Sequence, residues 1–144
     1  MVGWQIMALK SGLLGYLHIP SETTRKAMQF LDHVQANGGA NYGYLNSGAG
    51  EATTAIGLLS RMYLGWKKDS PGLKQGVEWL SQRGPSPDNM YYNYYATQVL
   101  RHWEGEKWRK WNGVMRDLLV DSQGHDPGSL LPLSALVSRR ERRG

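Results

Sequence analysis

Apolar residues recur at helical spacing along most of this chain, in segments separated by proline, glycine and asparagine. In residues 2–17, for example, Ile6, Leu9 and Leu13 are three or four positions apart and form one stripe. Comparable stripes predict five further helices, over about residues 21–37, 51–66, 71–84, 88–103 and 107–122. The pattern therefore predicts an all-α chain of six helices and no strands.

Helix-starting and turn-forming residues agree with this division. Ser21 follows a helix-stopping Ile-Pro pair, and we expect its hydroxyl to cap the second helix. Pro71 suits the first position of the fourth helix, where no backbone donor is needed. Residues 38–50 are rich in glycine, asparagine and tyrosine, and we expect them to form a connection with positive φ angles. Because no predicted strand precedes them, a phosphate-binding loop is not expected.

Internal repetition indicates how the helices are arranged. Phe30, Trp79 and Leu118, each followed by leucine, occupy matching positions in the even helices and are 49 and 39 residues apart. The odd helices repeat at a similar interval. A period of about 40 to 50 residues is typical of stacked helical hairpins, in which each hairpin buries its apolar face against the next.

Composition excludes several classes of protein. At 144 residues the chain has the length of one domain, and 40% hydrophobic with 20% charged residues is typical of a globular protein. No apolar run is long enough for a membrane span, and no signal peptide is visible, so the compartment stays open. The absence of cysteine excludes disulfides, thiolate metal sites and cysteine nucleophiles.

Positive charge is concentrated at the end of the chain. Residues 139–143 are four arginines and one glutamate, and they contribute +3 of the net charge of +5. A nucleic-acid interface needs basic residues spread over a folded face. We therefore interpret these residues as a solvated tail, and nucleic-acid binding is not expected.

One stretch resembles a known repeat. Residues 114–123, followed by 125–129, resemble the QW-type repeat of squalene and hopene cyclases and of protein prenyltransferase beta subunits. The first hairpin has a degenerate version in Phe30, Gln35, Gly39 and Tyr42. Residues 3–11, 54–59 and 94–99 are similar to bacterial hypothetical proteins with prenyltransferase and squalene oxidase repeats. The resemblance covers about residues 2–129 and implies helical-hairpin repeats of an α/α toroid, here a partial one. The sequence departs from the motif at Leu130, where an aromatic residue is expected.

The resemblance also suggests a division of the chain. Residues 1–129 form the predicted helical-hairpin repeat domain, and 130–144 form an apolar stretch with the basic tail. The chain starts inside an amphipathic pattern, which predicts that it begins within a longer repeat array. Uncovered repeat ends predict self-association or a protein partner. We expect residues 130–138 either to dock on the array or to join a dimer.

The catalytic groups of the resembled enzymes do not recur in this sequence. The cyclases protonate their substrate with an aspartate of an Asp-x-Asp-Asp cluster, whereas Asp117 and Asp121 lie one turn apart in a polar helix, with Asp126 beyond it. Prenyltransferases bind zinc through Asp, Cys and His. The four histidines lack metal-ligand spacing; they are His18, His33, His102 and His125. We therefore expect no catalytic residue, no metal and no cofactor.

Four tyrosines fall within five positions, which is the one unusual cluster of residues in this sequence. Tyr91, Tyr92, Tyr94 and Tyr95 cannot all lie on one face of a helix. Together with His102 they are the candidate ligand-binding residues, an aromatic wall for an apolar or cationic ligand. The alternative interpretation is packing between neighbouring hairpins.

The sequence favours a non-catalytic binding or scaffold module of helical-hairpin repeats within a larger bacterial protein. An alternative is a fragment of a terpenoid cyclase or prenyltransferase-like enzyme acting on an isoprenoid or other apolar substrate. In that case the catalytic acid would lie in parts outside this sequence.

Overall fold

Six α-helices dominate the computed structural model, which describes residues 2–123. The helices are α1 Val2–Leu14, α2 Ser21–Val34, α3 Glu51–Tyr63, α4 Pro71–Arg83, α5 Met90–Trp103 and α6 Gly105–Asp121. The all-α prediction with six helices is thereby confirmed. In this part of the chain, every helix is too short or too polar to cross a lipid bilayer. The expectations for residues 130–144 lie outside the described residues.

The predicted helix starts are right in one case and wrong in another. Pro71 occupies the first turn of α4, as expected. Ser21 is not a cap: it is the first residue of α2, Pro20 holds the capping position, and no side chain accepts a hydrogen bond there. The Ile-Pro pair thus ends the preceding segment, but the serine lies one position too late to cap α2.

The prediction of no strands is wrong between residues 35 and 42. Strand β1, Gln35–Ala36, pairs antiparallel with β2, Asn41–Tyr42. The turn between them needs positive φ angles, which are 51° at Asn37 and 65° at Gly38. Asparagine and glycine tolerate this conformation, so the glycine-rich connection closes into a small hairpin.

Helix α3 lies at the centre of the packing. It contacts α1, α4, α5 and β2, while α5 contacts α3, α4 and α6. The odd helices therefore pack in succession, α1 on α3 and α3 on α5. The most deeply buried aliphatic side chains come from helices α1 to α5. They include Ile6, Leu31, Leu58, Leu59, Leu73, Val77, Leu80, Val99 and Leu100.

Two glycines one turn apart let α4 approach the β1–β2 hairpin. A Cβ atom at Gly72 would lie 2.4 Å from the Gly38 carbonyl oxygen, and one at Gly76 would lie 2.7 Å from that of Ala40. Any side chain at these positions would push α4 away. The second hairpin of helices is thereby held directly against the end of the first.

Candidate functional site

The tyrosine-rich segment is helical, as predicted, and its rings divide between core and surface. Asn89 caps α5 by accepting a hydrogen bond from the backbone N–H of Tyr92 at 2.9 Å. Tyr92 and Tyr95 are fully buried, whereas Tyr91 and Tyr94 are 48% and 47% exposed. Two of the four rings therefore pack in the core, and the other two lie at the surface.

Tyr92 has a packing role. Its hydroxyl donates a hydrogen bond to the Gly84 carbonyl oxygen at 3.2 Å, and its ring meets the edge of Trp111 with centroids 6.0 Å apart. The Trp111 indole N–H in turn donates to the Thr97 hydroxyl at 2.9 Å. Burial raises the pKa of Tyr92 to about 12. This tyrosine joins α5 to α6 and to the end of α4, so the packing interpretation applies to it.

Tyr95 lies beneath three other rings. Its centroid is 5.1 Å from that of Tyr91, 5.1 Å from that of Tyr94 and 6.4 Å from that of Trp4, all edge to face. Trp4 also stacks on Tyr94 at 6.3 Å with an interplanar angle of 19° and is 52% exposed. We call the exposed sides of Trp4, Tyr91 and Tyr94 the aromatic face.

The Tyr95 hydroxyl is buried without a hydrogen bond. Among the described residues, no atom has the geometry to donate to it or accept from it. Burial raises the pKa of Tyr95, and the neighbouring Tyr91 hydroxyl raises it further. The two hydroxyls thus influence each other electrostatically, but their geometry does not make a hydrogen bond. Tyr95 remains a neutral phenol that supports the aromatic face from below.

His102 lies further along the same helix. Tyr94, Gln98 and His102 follow one another at intervals of four residues, which places them along one side of α5. Tyr63 of α3 lies beside them: its hydroxyl donates to Gln98 Oε1 at 3.4 Å and is 3.5 Å from His102 Nε2. Burial raises the pKa of Tyr63. The structure therefore places His102 on the same side of α5 as Tyr94 but two helical turns further along, next to Tyr63.

A buried arginine forms a second cluster that the sequence reasoning missed. Arg61 is only 3% exposed, and its Nε donates to the Tyr42 hydroxyl at 3.0 Å. Its Nη2 donates to the Asp32 carboxylate and to the Gln35 side-chain oxygen. The guanidinium carbon lies 4.7 Å from the Trp66 ring centroid, in cation–π geometry. These contacts join α2, both strands and α3, so this cluster holds the fold together.

Tyr42 is the common element of this cluster and the core. Burial raises the pKa of its hydroxyl, although the bond from Arg61 acts in the opposite direction. Its ring packs on Gly57, where a Cβ atom would lie 2.1 Å from the ring. A lone arginine in α3, surrounded in sequence by apolar residues, was the only signal that could have indicated such a cluster.

The remaining acidic and histidine side chains do not assemble into a reactive centre. In residues 2–123, no three His, Asp or Glu side chains lie close enough together to hold a metal ion. Asp117 pairs with the neighbouring Arg116 at the surface, 2.8 Å apart. The aromatic face therefore remains the strongest candidate for a binding surface.

Comparisons with known proteins leave the family open. No protein-family model, no curated protein and no solved structure matches this chain. The resemblance to QW-type repeats therefore stays a prediction.

Proposed function

We propose that this chain is a non-catalytic binding module of helical hairpins within a larger bacterial protein, and that the aromatic face is its binding surface. The observation that carries the proposal is the arrangement of three half-exposed rings over one buried ring. Trp4, Tyr91 and Tyr94 keep about half of their surface in solvent although the chain buries other aromatic residues completely.

Interface chemistry supports this assignment. Tryptophan and tyrosine are enriched among the residues that contribute most to protein binding, and charged residues are depleted at interface centres. Gln98, one turn beyond Tyr94 on α5, and Tyr63, which donates to it, provide uncharged polar groups next to the aromatic face. Such groups fix the orientation of a partner through hydrogen bonds, while the rings supply contact area at a low cost in conformational entropy.

The order of the helices supports the hairpin part of the proposal. The pairing of α3 with α4 and of α5 with α6, together with the packing of α1 on α3 and of α3 on α5, agrees with neighbouring helical hairpins. Trp4 belongs to α1, and the tyrosines belong to α5. The aromatic face is thus assembled from the first and third hairpins and depends on their packing.

Selection from a library of displayed peptides tests the binding proposal. We expect the full chain to enrich peptides with apolar or proline-containing motifs, and the double variant Trp4→Ala/Tyr94→Ala to bind them at least tenfold more weakly. A tenfold loss corresponds to about 1.4 kcal/mol, which is in the range of one or two hot-spot residues. The matched control is Tyr16→Asn, which removes a fully exposed aromatic ring away from the aromatic face.

Two results would overturn the proposal. Peptides that bind the double variant as tightly as the unchanged chain would exclude the aromatic face as the binding surface. Turnover of squalene or a prenyl diphosphate by the purified chain would exclude a non-catalytic module and favour the alternative of an enzyme fragment.

A further inference from the structure

Two asparagine–glycine pairs lie in different backbone settings of this chain. Asn37 and Gly38 form the turn between β1 and β2, whereas Asn112 and Gly113 lie inside α6. Both asparagines are exposed to solvent. An asparagine is most prone to deamidation when glycine follows it, because no side chain then hinders the backbone nitrogen that attacks the amide. The two pairs therefore differ mainly in the conformation of the backbone.

We propose that Asn37 is a site of spontaneous deamidation, and that the isoaspartate formed there weakens the packing of the turn on α4. In the first step the Gly38 backbone nitrogen bonds to the Asn37 side-chain carbon Cγ. The Cγ–Nδ2 bond breaks, ammonia leaves with the proton of the Gly38 N–H, and a succinimide ring remains. In the second step one solvent water molecule opens the ring at either of its two carbonyl carbons. The products are aspartate and isoaspartate, without any change in oxidation state.

The turn restrains the Asn37 amide only weakly. Its Nδ2 donates to the Asn41 side-chain oxygen at 2.9 Å, in a hydrogen bond that is open to solvent. The backbone bond across the turn, from the Ala40 N–H to the Asn37 carbonyl oxygen, is long at 3.3 Å. The two flanking strands have only two residues each. So short a hairpin opens at a low cost in free energy, and opening lets the Gly38 nitrogen reach the Asn37 side chain.

Helix α6 restrains the second pair much more strongly. Asn112 is well inside this helix, which extends from Gly105 to Asp121. Within an α-helix each backbone N–H is bonded to the carbonyl four residues before it. The Gly113 nitrogen must leave this arrangement before it can attack the Asn112 side chain, so several helical hydrogen bonds have to open first. Asn112 therefore serves as an internal control for Asn37.

The isoaspartate arises where the fold has little room. It adds one methylene group to the main chain between residues 37 and 38, together with a negative charge. Gly39 is buried, and a Cβ atom there would lie 2.5 Å from the Trp66 ring. A Cβ atom at Gly72 of α4 would lie 2.4 Å from the Gly38 carbonyl oxygen. A longer backbone displaces the Gly38 carbonyl and Gly39, so the turn loses its close contacts with α4 and Trp66.

The same displacement reaches the buried arginine. The Trp66 ring centroid lies 4.7 Å from the Arg61 guanidinium carbon. The Gln35 side-chain oxygen, which accepts a hydrogen bond from Arg61, lies 3.1 Å from the Cβ position of Gly39. Movement of Gly39 therefore disturbs two partners of a buried cation. Deamidation at the surface thereby lowers the stability of the fold.

Peptide mapping by mass spectrometry tests where deamidation occurs. The full chain is incubated at mildly alkaline pH under conditions in which it stays folded, and it is then digested with trypsin. Cleavage after lysine and arginine places Asn37 in peptide 27–61 and Asn112 in peptide 111–116. Fragment spectra assign each conversion of an amide to an acid to one asparagine. We expect Asn37 to react roughly tenfold faster than Asn112 or more, because opening a helix costs more than opening a two-residue hairpin.

The same incubation in urea removes the contribution of the fold. Both asparagines should then react at similar rates, since glycine follows each of them. Equal rates in the folded chain, or a faster reaction at Asn112, would overturn the proposal. A tenfold difference that persists in urea would also overturn it, because the local sequence rather than the fold would then set the two rates.

Thermal melts test the consequence for stability. Ion-exchange and hydrophobic-interaction chromatography isolate the isoaspartate form, and we expect its Tm to be about 4 °C or more below that of the unchanged chain. The matched control is freshly purified Asn37→Asp, which carries the same charge without the added methylene group. Its Tm should stay within about 1 °C of the unchanged chain, because the Asn41 amide can turn and donate to the new carboxylate. Equal Tm values for the isoaspartate form and Asn37→Asp would contradict the proposal.

Discussion

Asp32→Ala is expected to destabilise the fold strongly, although the Asp32 side chain is 59% exposed. The reason is that Asp32 pairs with Arg61, whose side chain is only 4% exposed. Among the described residues, the Asp32 carboxylate is the one negative group that contacts the Arg61 guanidinium. Removing the carboxylate leaves a buried guanidinium that has only neutral partners and no opposite charge beside it.

The magnitude follows from the burial of the two groups. Removing one partner of a fully buried ion pair costs about 3 to 5 kcal/mol, whereas an exposed pair contributes about 0.2 to 1 kcal/mol. Here one partner is buried and the other is half in water. Tyr42 and Gln35 still accept hydrogen bonds from Arg61 in the variant, and Trp66 still faces the guanidinium. We therefore expect a loss of about 2 to 3 kcal/mol in the free energy of unfolding.

Urea denaturation followed by circular dichroism measures this loss, and the chain supplies a matched control. Glu22 lies on the same helix, is about as exposed and pairs with Arg25, which is itself exposed. Glu22→Ala should cost at most about 1 kcal/mol. In thermal melts, Asp32→Ala should lower Tm by about 6 to 10 °C.

The double variant Arg61→Met/Asp32→Ala completes the test. Once the guanidinium is gone, the carboxylate has no buried charge to compensate, so the double variant should be no less stable than Arg61→Met alone. Equal losses for Asp32→Ala and Glu22→Ala would refute the reasoning. Additive losses in the double variant would refute it as well.

Three further predictions concern packing and pH. Gly57→Ala should destabilise the chain by about 1 to 3 kcal/mol, because the added methyl group would meet the Tyr42 ring. Gly113→Ala, which has open space around it, should instead stabilise α6 by up to about 1 kcal/mol, and the midpoints of urea denaturation distinguish the two variants. Asn93→Asp should lower the free energy of unfolding by about 2 kcal/mol or more, because the buried Asn93 amide donates to the Ser86 carbonyl oxygen at 2.6 Å and a carboxylate cannot donate. A thermal melt measures this loss. Tyr92 has a pKa of about 12 in the folded chain and 10.0 as its ordinary value, so its contribution to stability is complete below pH 10 and is lost as the pH rises towards 12. In urea titrations at pH 9 to 11, the free energy of unfolding should therefore fall less steeply with pH in Tyr92→Phe than in the unchanged chain.

Much of the helical framework could be predicted because it depends on local signals. The apolar stripes placed all six helices, and Pro71 marked a helix start correctly. The segment 35–42 was missed as a strand pair because each strand has only two residues. Such strands carry no alternating pattern, and their pairing depends on the turn at Asn37 and Gly38.

The candidate site could be predicted only in part. The density of tyrosines correctly indicated a helix with rings on more than one face, and Tyr91 and Tyr94 are indeed exposed. The sequence did not indicate Trp4, because it lies about 90 residues away and meets Tyr94 only through the packing of α1 and α5. Contacts between distant helices leave no trace in a single sequence.

The same limit explains the Arg61 cluster. Its partners come from α2, from both strands and from the segment after α3, so no local window contains them. A charged residue within an apolar stripe signals only that a partner is needed. The fold decides which residue provides it.

Tryptophan NMR tests most directly whether the aromatic face binds the partner. Each of the six tryptophans contributes one indole N–H signal, and the signal that is lost in a Trp4→Phe variant belongs to Trp4. On titration with a selected peptide, the Trp4 signal should shift, while the buried Trp111 signal should stay in place. A peptide that binds and shifts other indole signals but leaves Trp4 unchanged would contradict the claim.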